Sequence, residues 1–138
     1  MNRETLKKLS SLRIKESRCL QTAGMNAGAY YLCGYAIECA LKARIAKNTR
    51  RHDFPDKDLA HQAYTHSLEK LIGLAGLREE FEKDMKTQPQ LQLNWMVVKD
   101  WSERSRYDSQ ITRALAKDMY SASVSRKHGV LTWVKKSW

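Results

Sequence analysis

Residues 24–47 contain no proline, and their polar side chains return at helical spacing. Tyr31, Tyr35, Glu38 and Lys42 stand at positions i, i+4, i+7 and i+11, which places them on one face of one helix. Most other positions are alanine, cysteine, leucine or isoleucine. The pattern predicts a helix over 24–48, apolar nearly all round and therefore buried in the middle of its domain. Asn26, Glu38, Lys42 and Arg44 interrupt it too often for a membrane span.

The flanking pattern predicts further helices. Residues 3–20 carry a thin stripe of Leu6, Leu9, Leu12, Cys19 and Leu20 on a basic background, as expected of an outer helix. Pro55 forces an end before it. Residues 49–63 then form a long polar connection, rich in charge and histidine, with room for one short helical turn. A third helix starts at 65–68 with Thr65 as its N-cap, turns Leu68, Leu71, Ile72 and Ala75 inward, and stops at a left-handed Gly76. Residues 78–86 follow, with Phe81 and Met85 facing in, and Pro89 closes that unit. Residues 91–101 read as a helix or a pair of turns, with Leu91, Trp95 and Val98 on one side. A polar turn over 102–107 precedes the last long helix, capped by Asp108 or Ser109. Its stripe is Ile111, Leu115, Met119, Ala122, Val130 and Trp133, broken near Gly129. No run alternates like a strand, and no repeat or linker marks a second domain. The expectation is one all-α domain over 1–138, an antiparallel bundle of four or five helices.

Charge adds a function class. The formal net charge is +10, with basic residues spread along the chain, Arg50 and Arg51 among them. That balance favours polyanions such as RNA, DNA or an acidic protein; the bland alternative is a soluble basic domain. Arg126 and Lys135 are placed on the solvated side. Cys19, Cys33 and Cys39 have no zinc spacing and are expected as free thiols. The N-terminus lacks the apolar core of a signal peptide, so a cytoplasmic protein with no membrane partner is expected. Trp95, Trp101, Trp133 and Trp138 in so small a chain suggest apolar surface left for a partner, and so a symmetric homodimer.

Three features could carry chemistry. Glu38 and Lys42, at i and i+4, can pair for a few tenths of a kcal/mol on an exposed helix. A buried Glu38 needs an arginine, lysine or tyrosine hydroxyl beside it. The pair is either a satisfied core pair or part of a site. Arg104 and Arg106 stand two apart before the expected helix cap, where guanidinium forks and a helix N-terminus suit phosphate, and Tyr107 can stack on a base. The alternative is pairing with acidic neighbours at the surface. His66 is a lone histidine at a helix start, a position that more often packs than catalyses. His52 and His61 are too scattered for a metal. No Cys/His cluster, H-E-x-x-H, P-loop or G-x-G-x-x-G occurs, so neither metal nor cofactor is expected.

Three segments together resemble the HEPN domain family of small helical-bundle proteins. Ala29-Tyr-Tyr-Leu-Cys-Gly-Tyr-Ala-Ile-Glu-Cys-Ala-Leu-Lys-Ala is similar to that family's second helix. His66-Ser-Leu-Glu-Lys-Leu-Ile-Gly-Leu-Ala-Gly76 is similar to its His-x-Leu-x-x-Leu segment. Trp101-Ser-Glu-Arg-Ser-Arg-Tyr107 resembles its Trp-x-x-x-x-Arg-Tyr turn before the last helix. The resemblance runs from about residue 15 to 136 in matching order. It implies an antiparallel bundle, usually dimeric, with the dimer cleft near the last turn. The family includes metal-independent endoribonucleases of toxin and defence systems, nucleotide-binding modules and partners of minimal nucleotidyltransferases.

The nuclease members carry Arg-x4–6-His at the start of a late helix. Here Arg104 and Arg106 are followed by Asp108, Ser109, Gln110, Ile111, Thr112 and Arg113, with no histidine. A metal-free RNase uses that histidine as its proton carrier. The expected function is therefore a non-catalytic HEPN-like module with no catalytic residue. It binds a nucleotide, RNA or a protein partner such as a nucleotidyltransferase, in a toxin–antitoxin or defence system, through Arg104, Arg106, Tyr107, Glu38, Lys42 and His66. The rival is a metal-independent endoribonuclease with a rearranged site, using Tyr107 or His66 as proton carrier. A third reading is a purely structural dimerisation or scaffold domain.

Overall fold

A computed structural model describes residues 1–49, 54 and 56–138. The expectations placed on Arg50, Arg51, His52 and Pro55 lie outside the described residues. Among those residues the structure is all helical: α1 (Arg3–Thr22), α2 (Asn26–Asn48), α3 (Lys57–Gln62), α4 (Leu68–Leu74), α5 (Arg78–Thr87), α6 (Pro89–Val98), a 3-10 turn (Glu103–Tyr107), α7 (Arg113–Val124) and α8 (Val130–Lys135). The bundle is thus cut into more and shorter helices than the four or five expected. No described helix is long and apolar enough to cross a membrane.

α2 is the centre. It packs against α1, α4, α7, α8 and the 3-10 turn. Ala36, Ile37, Ala40, Leu41 and Ala43 are wholly buried. Alanine suits this place because it forms helix well and lets neighbouring backbones come close.

The way α1 attaches explains its thin apolar stripe. Leu12 and Cys19 are exposed, and Leu6 is the stripe residue that is fully buried. Ser10 and Ser17 do the seating instead: both are buried, and their hydroxyls donate to the carbonyls of Ala36 (2.7 Å) and Ala29 (2.6 Å). Moving seven residues forward on α1 moves the contact seven back on α2, so the two helices run antiparallel. Gly24, with φ +77°, makes the tight turn between them.

The remaining helices close the core around α2. Leu68, Leu71, Ile72 and Ala75 are buried as the pattern predicts, and Gly76 takes the left-handed conformation at φ +72°. The cap of α4 is Ser67, whose hydroxyl accepts from the Lys70 N–H at 3.3 Å; Thr65 instead accepts from the Ser67 N–H, two residues too early to start the helix. Similarly, α7 is capped by Thr112 and not by Asp108 or Ser109, because Asp108 closes its own turn onto the Gln110 N–H. Leu115, expected inside, is 39% exposed. Lys135, expected in solvent, is half-buried with its Nζ 5.4 Å over the Trp138 ring, and burial lowers its pKa. Arg126 is exposed.

The tryptophans serve this chain's own core. Trp133 is buried, donates to Asp84 at 2.8 Å and tilts against Phe81, which meets Trp95 edge-on. Trp101 is 3% exposed and lies directly against Gly34, where an added Cβ would sit 2.2 Å from the indole. Trp95 and Trp138 are half-buried. The tryptophan argument for an unpartnered surface therefore fails for Trp101 and Trp133. Gly34→Ala is expected to destabilise the fold by about 1–3 kcal/mol through overpacking. Urea unfolding checks it: Trp101→Leu in the Gly34→Ala background should recover part of the loss, and an unchanged midpoint for Gly34→Ala would refute the contact.

Candidate functional site

The predicted polar face of α2 is a continuous strip. At one end Glu38, 2% exposed, holds its Oε1 2.9 Å from Lys42 Nζ and 2.9 Å from His66 Nδ1. The lysine contact is the i, i+4 pair read from the sequence. The histidine contact joins α2 to the residue just before the α4 cap. A carboxylate only accepts, so Nδ1 carries the hydrogen, and Nε2 is the nitrogen that faces away from Glu38. The His66 side chain is 46% exposed, whereas that of Glu38 is 3% exposed. Glu38 Oε2 is buried without a hydrogen-bond donor among the described residues. Such an orphaned acceptor costs on the order of 1–3 kcal/mol.

Aromatic rings continue the strip. Tyr35 and Tyr31 stack with centroids 6.1 Å apart, and Tyr31 stacks on Trp101 at the same distance. Arg13 from α1 lies 6.0 Å over the Tyr35 ring. Beyond Trp101 comes the 3-10 turn. There the Arg106 guanidinium sits 4.9 Å over the Tyr107 ring. Arg106 is held above its ordinary pKa by the Tyr107 phenol first, and then by Tyr31. Arg106 and Tyr107 are thus brought to the α2 face beside Tyr31, while Arg104 is exposed and, among the described residues, makes no side-chain hydrogen bond or ion pair that ties it there.

One premise of the expected anion site changes. Arg104 and Arg106 lie in the last turn of the short 3-10 helix, and the next helix starts only at Arg113. The α7 N-terminus is therefore not theirs, and its cap already occupies the Leu115 N–H. What remains at Arg106 is a guanidinium stacked over the Tyr107 ring, with Tyr31 nearby.

Burial shapes the other titratable groups. Tyr35 is raised by burial, then by Cys39 and Glu38. Cys39 is pushed up to about 11 by burial, with Glu38 adding to it. Cys33, away from the strip against Ser123 of α7, is pushed up to about 12 by burial. Tyr30 is raised by burial and then by Asp100. Among the described residues no group of three or more His, Cys, Asp or Glu is gathered for a metal.

Sequence reasoning missed the Glu38–His66 bond, the Trp101–Gly34 contact and the place of Cys39 in the cluster. The one available signal was Gly34 itself, a glycine mid-helix on an otherwise alanine-rich face. The chain matches no protein-family model, no curated protein and no solved structure.

The thiol environments are directly testable. At pH 8 Cys33 and Cys39 stay protonated and covered, while Cys19 is exposed, so a thiol reagent should label one cysteine in the folded protein and all three in denaturant. Rapid native labelling of Cys39 would contradict the buried cluster.

Proposed function

We propose that the chain is a HEPN-like helical module that binds RNA or a nucleotide without cleaving it. It acts as a homodimer, in a toxin–antitoxin or defence setting with a nucleotidyltransferase-type partner. One observation carries the reading: the exposed Arg106 guanidinium lies over the Tyr107 ring and near Tyr31, at the end of the strip that leads to Lys42, Glu38 and His66. A planar cation over an aromatic face offers a phosphate fork and a base-stacking platform together. The net charge of +10 favours the same class of ligand. Leu93 and Met96, one turn apart and more than half exposed on α6, leave apolar surface for a second copy.

A second reading, a metal-independent endoribonuclease, is favoured by the Glu38–His66 bond. A carboxylate that orients an imidazole through Nδ1 leaves Nε2 to move a proton. One titration and one assay separate the two. Arg106→Ala is expected to weaken binding of a labelled single-stranded RNA several-fold and to lower the salt slope by about one. Arg106→Lys recovers only part, and Arg126→Ala changes little. The wild-type protein in chelator should leave the RNA intact. Cleavage that disappears in His66→Ala would replace the binding module with the enzyme, and equal losses for Arg106→Ala and Arg126→Ala would show diffuse attraction with no site.

A further inference from the structure

A second basic feature lies away from the α2 strip. The C-terminal turn of α1 and one face of α7 form the walls of an open groove of about 830 Å³, and the turn into α2 forms its base. Arg18 and Gln21 stand on the α1 wall. Arg113, Lys117 and Tyr120 stand on the α7 wall at i, i+4 and i+7, one helical face. Neither Arg104, Arg106 nor Tyr107 lines it.

Its electrostatics are one-sided. The chain has 15 acidic side chains, yet none is among the residues lining the groove. Arg18, Arg113 and Lys117 are exposed, and among the described residues none of them pairs with a carboxylate. Elsewhere several cations do have partners: Arg13 with Glu16, Lys42 with the buried Glu38, Arg78 with Glu82. The groove also ends on the start of α2, where Met25 provides no side-chain cap to the first N–H groups, so the positive end of a 23-residue helix adds to the same field. Three unpaired cations facing one another repel, and a polyanion lying between them removes that repulsion.

We infer that this groove binds the phosphodiester backbone of single-stranded RNA, with Arg18 on one wall and Arg113 and Lys117 on the other contacting phosphates. Its length favours a strand over a small ligand. A mononucleotide site encloses most of its ligand, whereas this groove is a channel whose α7 wall runs for about 16 Å, the rise of eleven residues from Arg113 to Val124. Open basic channels with an aromatic side chain in one wall, here the half-buried Tyr120, are the form in which single strands are held. The groove stands apart from the Arg106 site in every residue, so either reading can fail while the other survives.

The test is anisotropy titration of a labelled oligouridine against the full chain at a series of salt concentrations. Arg18→Ala, Arg113→Ala and Lys117→Ala should each weaken binding several-fold and make the salt slope shallower by about one. Lys117→Glu should weaken it further than Lys117→Ala. Lys83→Ala and Arg126→Ala, at exposed positions outside the groove, should leave both quantities unchanged. Mononucleotide should fail to displace the strand at equal phosphate concentration. The inference is overturned by equal losses in the groove and control variants, by groove variants that bind like wild type, or by duplex RNA that shows the same affinity and the same dependence on Lys117.

Discussion

A carboxylate buried in the central helix of the domain is the constraint around which the rest is arranged. Taking an ion out of water costs several kcal/mol unless charges and donors are fixed around it. Glu38 meets that demand at one oxygen, Oε1, with Lys42 from its own helix and His66 from the approach to α4. The second bond matters more for architecture, because it links two elements 28 residues apart in sequence. It fixes where the chain re-enters the core after the long connection, and Ser67 then starts α4 at once. Leu68, the first residue of α4, is already buried. The polar contact and the hydrophobic anchor therefore set each other's position.

That arrangement is possible because α2 is mostly made of small residues. Buried alanines bring α1, α4, α7 and α8 against one helix, and the two serines of α1 hydrogen-bond directly to α2 carbonyls. Gly34 takes the same logic furthest, since a whole indole replaces the missing side chain. Trp101 in turn carries the 3-10 turn to the α2 face, which is how Arg106 comes to lie beside Tyr31. The site is thus built by close packing at one end and by a buried charge at the other, with two stacked tyrosines between them.

The sequence made the local half of this legible. Helical spacing in 24–48 marked both the buried helix and its polar face, and Gly76 was readable as a stop because few residues other than glycine accept its backbone angle. Caps were less legible: Thr65, Ser67, Asp108 and Thr112 are all good capping residues, and tertiary packing decided among them. Trp101 and Trp133 misled because indole surface looks the same in sequence whether it covers this chain or another. Contacts across the chain were invisible for the same reason. Nothing local says that His66 meets Glu38, or that Arg18 faces Arg113 across a groove.

The Glu38–His66 contact is the bond on which this arrangement rests, and a double-mutant cycle measures it directly. Glu38→Met, His66→Ala and the double variant are unfolded in urea, and the coupling free energy is taken from the four stabilities. A hydrogen bond from a half-exposed imidazole to a buried carboxylate predicts a coupling of about 1–2 kcal/mol. A coupling indistinguishable from zero would mean that His66 does not hold the buried carboxylate, and that α4 is positioned by its apolar contacts alone.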